Sequence, residues 1–267
     1  MSNAFFTNEE NQCIDQFLRD GYTIFPLQDL KNLQQIKEDL YQSGIEYLKL
    51  DRPPLIDDFF DNIHQWINGR NLNDFRVHLI NKLTSDISLT PKIYQLAKSH
   101  IHWIVGNELA IQRSCNLSIQ IPQDSSSLLP LHSDIWSGNS PYEIVLWFPF
   151  VNCYRTKSMF VLPKYETDRI TSHFSEYASM NAEDLFHQIK DQLHWLEVPY
   201  GHGVIFTHAL LHGNRINEED QTRWTLNTRF KALLSPYGDK ELGESFIPIT
   251  MRPMTRMGYH YKKTTLR

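Results

Sequence analysis

Apolar residues along this chain fall into two regimes, the first spaced for helices and the second for strands. Between residues 8 and 19, Ile14, Phe17 and Leu18 recur at helical spacing, and Asp20-Gly21 ends the segment ahead of an apolar strand at 22–26. Residues 30–48 carry Leu33, Ile36, Leu40, Ile45 and Leu48, a second amphipathic helix that has to stop before the loop holding Pro53-Pro54. Further helices are predicted near 58–68, 74–84 and 91–106, built on Phe59, Ile63 and Trp66, on Phe75, Leu79 and Leu83, and on Ile93, Leu96 and Ile104. After Gly106 the texture changes to short, alternating or continuous β-favouring runs at 115–121, 143–150, 158–162, 194–199, 203–207 and 222–233. Short strands with Gly and Pro punctuation predict an antiparallel sandwich or jelly roll, interrupted by an insertion at 164–193 that is helical across 181–192.

Composition narrows the class without identifying the chemistry. A chain of 267 residues with 41% hydrophobic and 21% charged positions is an ordinary globular sequence able to bury a real core, and a single domain over 1–267 is expected. Acidic residues outnumber basic ones, 31 to 26, and the formal net charge is −5, so no general attraction to nucleic acid or an anionic membrane is expected, though that balance leaves room for a local basic patch. No run approaches the roughly 20 apolar residues of a membrane span, and the opening residues lack the basic-then-apolar pattern of a secretory signal. Cys13, Cys115 and Cys153 are widely spaced with no CxxC pairing, which predicts neither disulfide framework nor zinc ribbon and suggests a reducing, cytoplasmic setting.

Spacing sorts the twelve histidines. His132 and Asp134 flank Ser133, and in an extended strand residues two apart project from one face, so both side chains can reach one point. An imidazole nitrogen with a carboxylate oxygen supplies two of the three donors of the facial triad of iron(II) oxygenases, which leaves positions open for substrate and oxygen. His212 is the candidate third donor, in the run GVIFTHALLHGN at 203–214, an apolar strand ending in a turn signal; His208, four residues earlier on the same face, is the rival. Arg223 and Arg229 lie in QTRWTLNTRF, a segment otherwise reading as a buried strand, where an arginine calls for an anion to pair with.

In order along the chain, FLRDGY at 17–22, LHSD at 131–134, LWFPF at 146–150, SMFVLP at 158–163, His212-Gly213 and Arg223 resemble the phytanoyl-CoA dioxygenase superfamily of iron(II) and 2-oxoglutarate oxygenases over most of the sequence. The turns after the middle strands depart from the family pattern, with Lys157-Ser158 and Pro163-Lys164-Tyr165 in place of its Asn-Gly and Pro-Gly-Ser-His. The segment from Arg223 to Lys231, with Ser235-Pro236-Tyr237, most resembles a branch found with bacterial carbohydrate-biosynthesis genes.

The resemblance implies a mainly β fold with α: a double-stranded β-helix (jelly roll, cupin-like) core at 107–237, N-terminal helices at 5–106 packing on it and a tail at 238–267. It implies iron(II) held by His132, Asp134 and His212 as the catalytic centre, with 2-oxoglutarate and O2 as cosubstrates and Arg223 pairing with the far carboxylate of 2-oxoglutarate. Asn116, Gln120 and Trp147 are expected to line the cosubstrate pocket, and Arg229, Asn227 and Trp136 to meet substrate. His202 and His208 are expected to be structural. The implied reaction is hydroxylation of an unactivated C–H bond of a small polar molecule, a sugar or a lipopolysaccharide or nucleotide-sugar precursor. Apart from the resemblance, the insertion at 164–193 is a candidate lid over the pocket. The alternatives are a hydroxylase or cyclase for an amino acid or other natural product, and a non-catalytic metal-binding sensor of cupin type. Lys262, Lys263 and Arg267 form a basic tail that would suit an anionic substrate.

Overall fold

Local chemistry sets the helical half. A computed structural model describes residues 4–177 and 179–261, so the basic group at 262, 263 and 267 lies outside the described residues. Helix α1 (Asn8–Asp20) begins at a capping box, in which the Thr7 hydroxyl accepts from the Glu10 backbone N–H and the Glu10 carboxylate accepts from that of Thr7. It ends at Gly21, whose φ of 78° lies in the left-handed region that glycine adopts without strain. Strand β1 (Tyr22–Pro26) and helices α2 (Leu30–Leu48), α3 (Ile56–Asn62) and α4 (Leu72–Ser85) follow close to the predicted positions. The predicted helix at 91–106 is instead two, α5 (Leu89–Leu96) and α6 (Lys98–Val105). The Leu96 carbonyl accepts from the Gln28 N–H at 2.9 Å, and the Gln28 side chain caps the Ser99 N–H at 2.9 Å, so the segment after β1 interrupts the helical ladder at Ala97.

The remainder supplies β2 (Leu109–Gln112), β3 (Asn116–Gln120), β4 (Glu143–Pro149), β5 (Phe160–Val161), helices α7 (Lys164–Ser172), α8 (Phe174–Tyr177) and α9 (Ala182–Ile189), then β6 (His194–Trp195), β7 (His202–Thr207), β8 (His212–Gly213), β9 (Arg223–Ala232), β10 (Phe246–Thr250) and α10 (Pro253–Tyr259). A seven-stranded sheet has the order β1-β7-β4-β9-β2-β10, with β3 also paired to β9, and a three-stranded sheet has the order β6-β5-β8; all pairings are antiparallel. Helical positions outnumber strand positions among the described residues, so the class is mixed α and β rather than mainly β. The small sheet accounts for a minor part of the difference, since its strands pair over only two residues each. The segment expected as a tail also forms structure, with β10 closing one edge of the large sheet against β2. Pro248 is tolerated there because an edge strand can spare an N–H, and the register shifts between Pro248 and Thr250.

Strand β9 divides the molecule into a core side and a cavity side. Trp224, Leu226 and Phe230 are fully buried in one hydrophobic cluster with Leu33, Ile36, Phe59, Phe60, Phe75 and Leu79 from the helices. The Trp224 indole N–H donates to the Phe60 carbonyl at 2.9 Å, which satisfies its only polar atom. The alternate residues Arg223, Thr225, Asn227 and Arg229 line a cavity of about 420 Å³. The 164–193 insertion packs Ile170, Leu185 and Ile189 against Phe160, Leu162 and Leu211 of the small-sheet region, and the Arg215–Glu183 pair at 2.6 and 2.8 Å ties it down. Among the described residues, none of the insertion lines the cavity. Cys13, Cys115 and Cys153 are buried free thiols. Among the described residues, no helix is long and apolar enough to cross a membrane.

Candidate metal centre and its cavity

His132 and His212 meet across a single antiparallel bridge. Each backbone N–H donates to the other residue's carbonyl, at 3.0 and 2.9 Å, which places both imidazoles on the same side with ring centroids 4.4 Å apart. The chain is extended only as far as Ser133 (φ −113°, ψ 135°) and then enters a 3-10 turn at Asp134–Ser137, so the expected strand at 132–134 is a one-residue bridge. The Ser133 hydroxyl donates to the His208 carbonyl at 2.8 Å and holds that bend. Asp134 Oδ1 then stands 3.6 Å from His132 Nε2.

One side-chain atom from each of His132, Asp134 and His212 lies within 4.8 Å of the others, a spacing that a single metal ion could bridge. The remaining imidazole nitrogens fix the tautomers: Nδ1 of His132 donates to the Pro130 carbonyl at 2.7 Å, and Nδ1 of His212 donates to that of Leu210 at 2.8 Å. Both Nε2 lone pairs are thereby left free, which is the form a metal requires. Gly213 permits the close approach, since a Cβ there would lie 2.8 Å from the Leu129 carbonyl oxygen and 2.9 Å from the Phe160 ring.

Electrostatics keep His212 and Asp134 in ligating form, whereas at His132 burial is outweighed by Asp134 and the Pro130 carbonyl, which raise its pKa and leave a proton for a bound cation to displace. Burial and the neighbouring His132 depress the His212 pKa to about 4, so its imidazole is neutral at pH 7. Burial works to raise the Asp134 carboxyl, but His132, His212 and Arg229 outweigh it and hold the group well below the usual carboxylate range. Arg229 donates from Nη1 to Gln112 Oε1 at 3.0 Å and from Nη2 to Asp134 Oδ2 at 3.2 Å, pinning the oxygen that faces away from His132.

His208 lies behind the cluster, fully buried, with Nε2 3.8 Å from Asp134 Oδ2 and Nδ1 3.6 Å from Glu143 Oε2. It does not line the cavity, and burial pushes its pKa down to about 3. His212 thus completes the cluster with both His132 and Asp134, whereas His208 approaches Asp134 from behind and is not part of it.

Arg223 lines the same cavity. It is 3% exposed, donates to the Ser158 carbonyl at 2.9 Å and to Ser118 Oγ at 3.1 Å, and has Nε unpartnered. No carboxylate pairs with it among the described residues, the sequence neighbours Glu218 and Asp220 included. Burial pushes the guanidinium pKa down to about 10. A charge held at such cost without a counter-ion marks a place for an anion.

Other expectations divide. Asn116, Trp147, Asn227 and Arg229 line the cavity, with Asn116 Nδ2 donating to Asn227 Oδ1 at 3.1 Å. Gln120 does not: it shares the face of Asn116 and Ser118, but it sits at the end of β3 and its amide turns to the Arg215 carbonyl. Trp136 is 46% exposed and packs at a tilt against Phe174 of α8, with ring centroids 5.4 Å apart, outside the cavity. His202 Nδ1 is buried without a partner at the start of β7 and does not reach the cavity. Sequence reasoning missed Ser118, Thr225 and Arg76. The first two follow from alternation along β3 and β9, whereas Arg76 is brought in only by the packing of α4 on β3.

Neither a family model nor a curated protein sequence matches the chain. Among solved structures it is similar to the non-heme monooxygenase ThoJ in its nickel complex, with a TM-score of 0.57 and 14% identity over 91% of this chain and 85% of that one. It is also similar to EctD from S. alaskensis with 2-oxoglutarate and 5-hydroxyectoine, with a TM-score of 0.54 and 14% identity over 89% of this chain and 80% of that one. EctD from the same organism with bound Fe gives 0.52 and 14% over 89% and 80%. At this identity the likeness is one of fold.

Proposed function

We propose that the chain is a single-domain, mononuclear iron(II) dioxygenase dependent on 2-oxoglutarate, with His132, Asp134 and His212 as the metal ligands on a double-stranded β-helix. The observation that carries this reading is the unpaired, buried Arg223 lining the cavity into which the three ligand side chains converge. Two imidazoles and one carboxylate form the donor set of non-haem iron oxygenases, and they leave room for a chelating cosubstrate. Asp134 also fills the position a halide would need, which favours hydroxylation over halogenation. The similar structures, ThoJ as a nickel complex and EctD with iron or with 2-oxoglutarate, support the same choice. When bound, the iron and its cosubstrate would supply the oxidant for an unactivated C–H bond.

The residues of the chain then have distinct tasks. Arg223 holds the far carboxylate of 2-oxoglutarate, and Ser118, which accepts from Arg223 Nη2, steadies the guanidinium. Trp147 forms an apolar wall, with Asn116 and Asn227 as polar contacts on the same cavity. Arg229 is a positioning residue for Asp134 rather than a first contact for substrate. The product is the hydroxylated form of a small polar molecule. By sequence resemblance to the carbohydrate-cluster branch of the phytanoyl-CoA dioxygenase superfamily, a sugar or a lipopolysaccharide or nucleotide-sugar precursor is favoured over an amino acid. A metal-binding sensor has no need of a desolvated arginine beside its metal, which argues against that alternative.

Titration of anaerobic iron(II) protein with 2-oxoglutarate tests the reading. Chelation is expected to produce a weak visible absorption band that requires both components. Protein that takes up iron but shows neither the band nor heat of 2-oxoglutarate binding would support the sensor instead.

A further inference from the structure

The cavity holds more positive charge than iron and 2-oxoglutarate consume. Its wall carries three guanidinium groups, Arg76, Arg223 and Arg229, against one carboxylate, Asp134. Arg229 is neutralised by Asp134 at 3.2 Å. Arg223 is assigned to the cosubstrate. A divalent ion adds two charges and the dianionic cosubstrate removes two, so the lining keeps its excess before any substrate arrives.

Arg76 is the group left over. It rises from α4, which packs against β3, the strand that contributes Asn116 and Ser118 to the same wall. It is half-buried, and its Nη2 donates at 2.7 Å to Asn73 Oδ1, a neutral partner one turn back on its own helix. No acidic side chain pairs with it among the described residues, although acids outnumber bases in the chain. The turn at 124–126 packs against Gly69 just ahead of α4, and the following loop adds Ser126 and Ser127 to the wall. The Ser126 hydroxyl is itself engaged by Asp124, so the guanidinium lining the cavity has an amide oxygen as its hydrogen-bond partner and no paired acid, an arrangement suited to a planar or tetrahedral oxyanion.

Resting on the oxygenase reading, we infer that the substrate is itself an oxyanion, a carboxylate or a phosphate or sulfate ester, whose charged group pairs with Arg76 while the bond to be oxidised points toward His132, Asp134 and His212. A cavity of about 420 Å³ lies toward the small end of ligand sites, so the substrate beside 2-oxoglutarate is compact. The overall charge of −5 opposes anions at long range, so discrimination comes from this local cluster rather than from steering by the whole surface.

Calorimetry on protein loaded with nickel(II) and saturating 2-oxoglutarate tests this, because Arg223 is then occupied. The probes are sulfate and acetate, one for each source of oxyanion. Saturable 1:1 binding of at least one is expected, weakened tenfold or more in Arg76→Gln, with 2-oxoglutarate affinity held within twofold. Sulfate alone binding would assign an ester of phosphate or sulfate, and acetate alone a carboxylate. Saturable binding of neither anion, or binding that Arg76→Gln leaves within twofold, overturns the inference. Failure of 2-oxoglutarate to bind the nickel-loaded wild type would overturn the underlying reading instead, and that is scored in the same titration.

Discussion

Replacing Arg223 by methionine should separate what this residue costs the fold from what it gives the site. Burial pushes its guanidinium from an ordinary 12.5 to about 10, and at about 1.4 kcal/mol per pKa unit the fold spends about 3 kcal/mol keeping it charged at neutral pH. Against this stand two hydrogen bonds, to the Ser158 carbonyl and Ser118 Oγ, each contributing about 1 kcal/mol net. Methionine fills much of the same volume without the charge, so the metal-free variant should be more stable by about 1 kcal/mol, a rise in Tm of roughly 2–4 °C for a chain of this size. Ligand binding should move the other way. Loss of a charge-assisted, bidentate contact of about 3 kcal/mol corresponds to a weakening of 2-oxoglutarate by about 100-fold, with metal affinity retained. Thermal melts of the metal-free proteins read the first effect, and melts of the nickel-loaded proteins with and without 2-oxoglutarate read the second, because the same ligand concentration should raise the wild-type Tm far more than that of the variant. A variant that melts several degrees lower, or that binds 2-oxoglutarate within threefold of wild type, would refute the argument that this arginine is a strained anion holder.

Other perturbations follow from packing and titration. Gly213→Ala places a methyl 2.8 Å from the Leu129 carbonyl oxygen and 2.9 Å from Phe160, so it should cost about 1–3 kcal/mol in urea denaturation and weaken metal binding by displacing His212. Trp224→Phe keeps the apolar contacts beneath the helices but leaves the Phe60 carbonyl unpaired, a loss of about 1–3 kcal/mol by the same assay; an unchanged midpoint would show that the indole bond is idle. His100 stacks on Phe25 at 3.8 Å, and burial lowers its pKa from 6.5 to about 4. Below about pH 6.5 the unfolded chain takes up a proton that the fold refuses until about pH 4, so stability falls as pH falls through that window. His100→Phe should flatten the fall by about 1–2 kcal/mol between pH 7 and 5, and an identical pH profile would contradict this.

The sequence carried the parts of the site that depend on short-range periodicity. Alternation in RWTLNTRF put Arg223, Asn227 and Arg229 on one face of β9 and Trp224 on the other, and the structure keeps that division. Two-residue spacing likewise put His132 beside Asp134, although through a bend rather than a strand. What was illegible depends on tertiary pairing. His208 and His212 share a face by spacing, and the deciding fact is the backbone bridge between His212 and His132, which no local signal encodes. Gln120 stood on the right face but at the strand end, where the Arg215 carbonyl claims its amide. Arg76 carries no local signal in a helix read from Phe75, Leu79 and Leu83, and it reaches the cavity only through the packing of α4 on β3. Strand β2 is only four residues long, and β10 contains a proline, the two features that weaken a strand signal most.

The most direct measurement is the anomalous scattering of crystals grown without oxygen in manganese(II) and 2-oxoglutarate. One metal peak is predicted within about 2.0–2.3 Å of His132 Nε2, Asp134 Oδ1 and His212 Nε2, with the far carboxylate of the chelated dicarboxylate on Arg223. A peak coordinated by His208 in place of His212, or a dicarboxylate bound away from Arg223, would contradict the account at its centre.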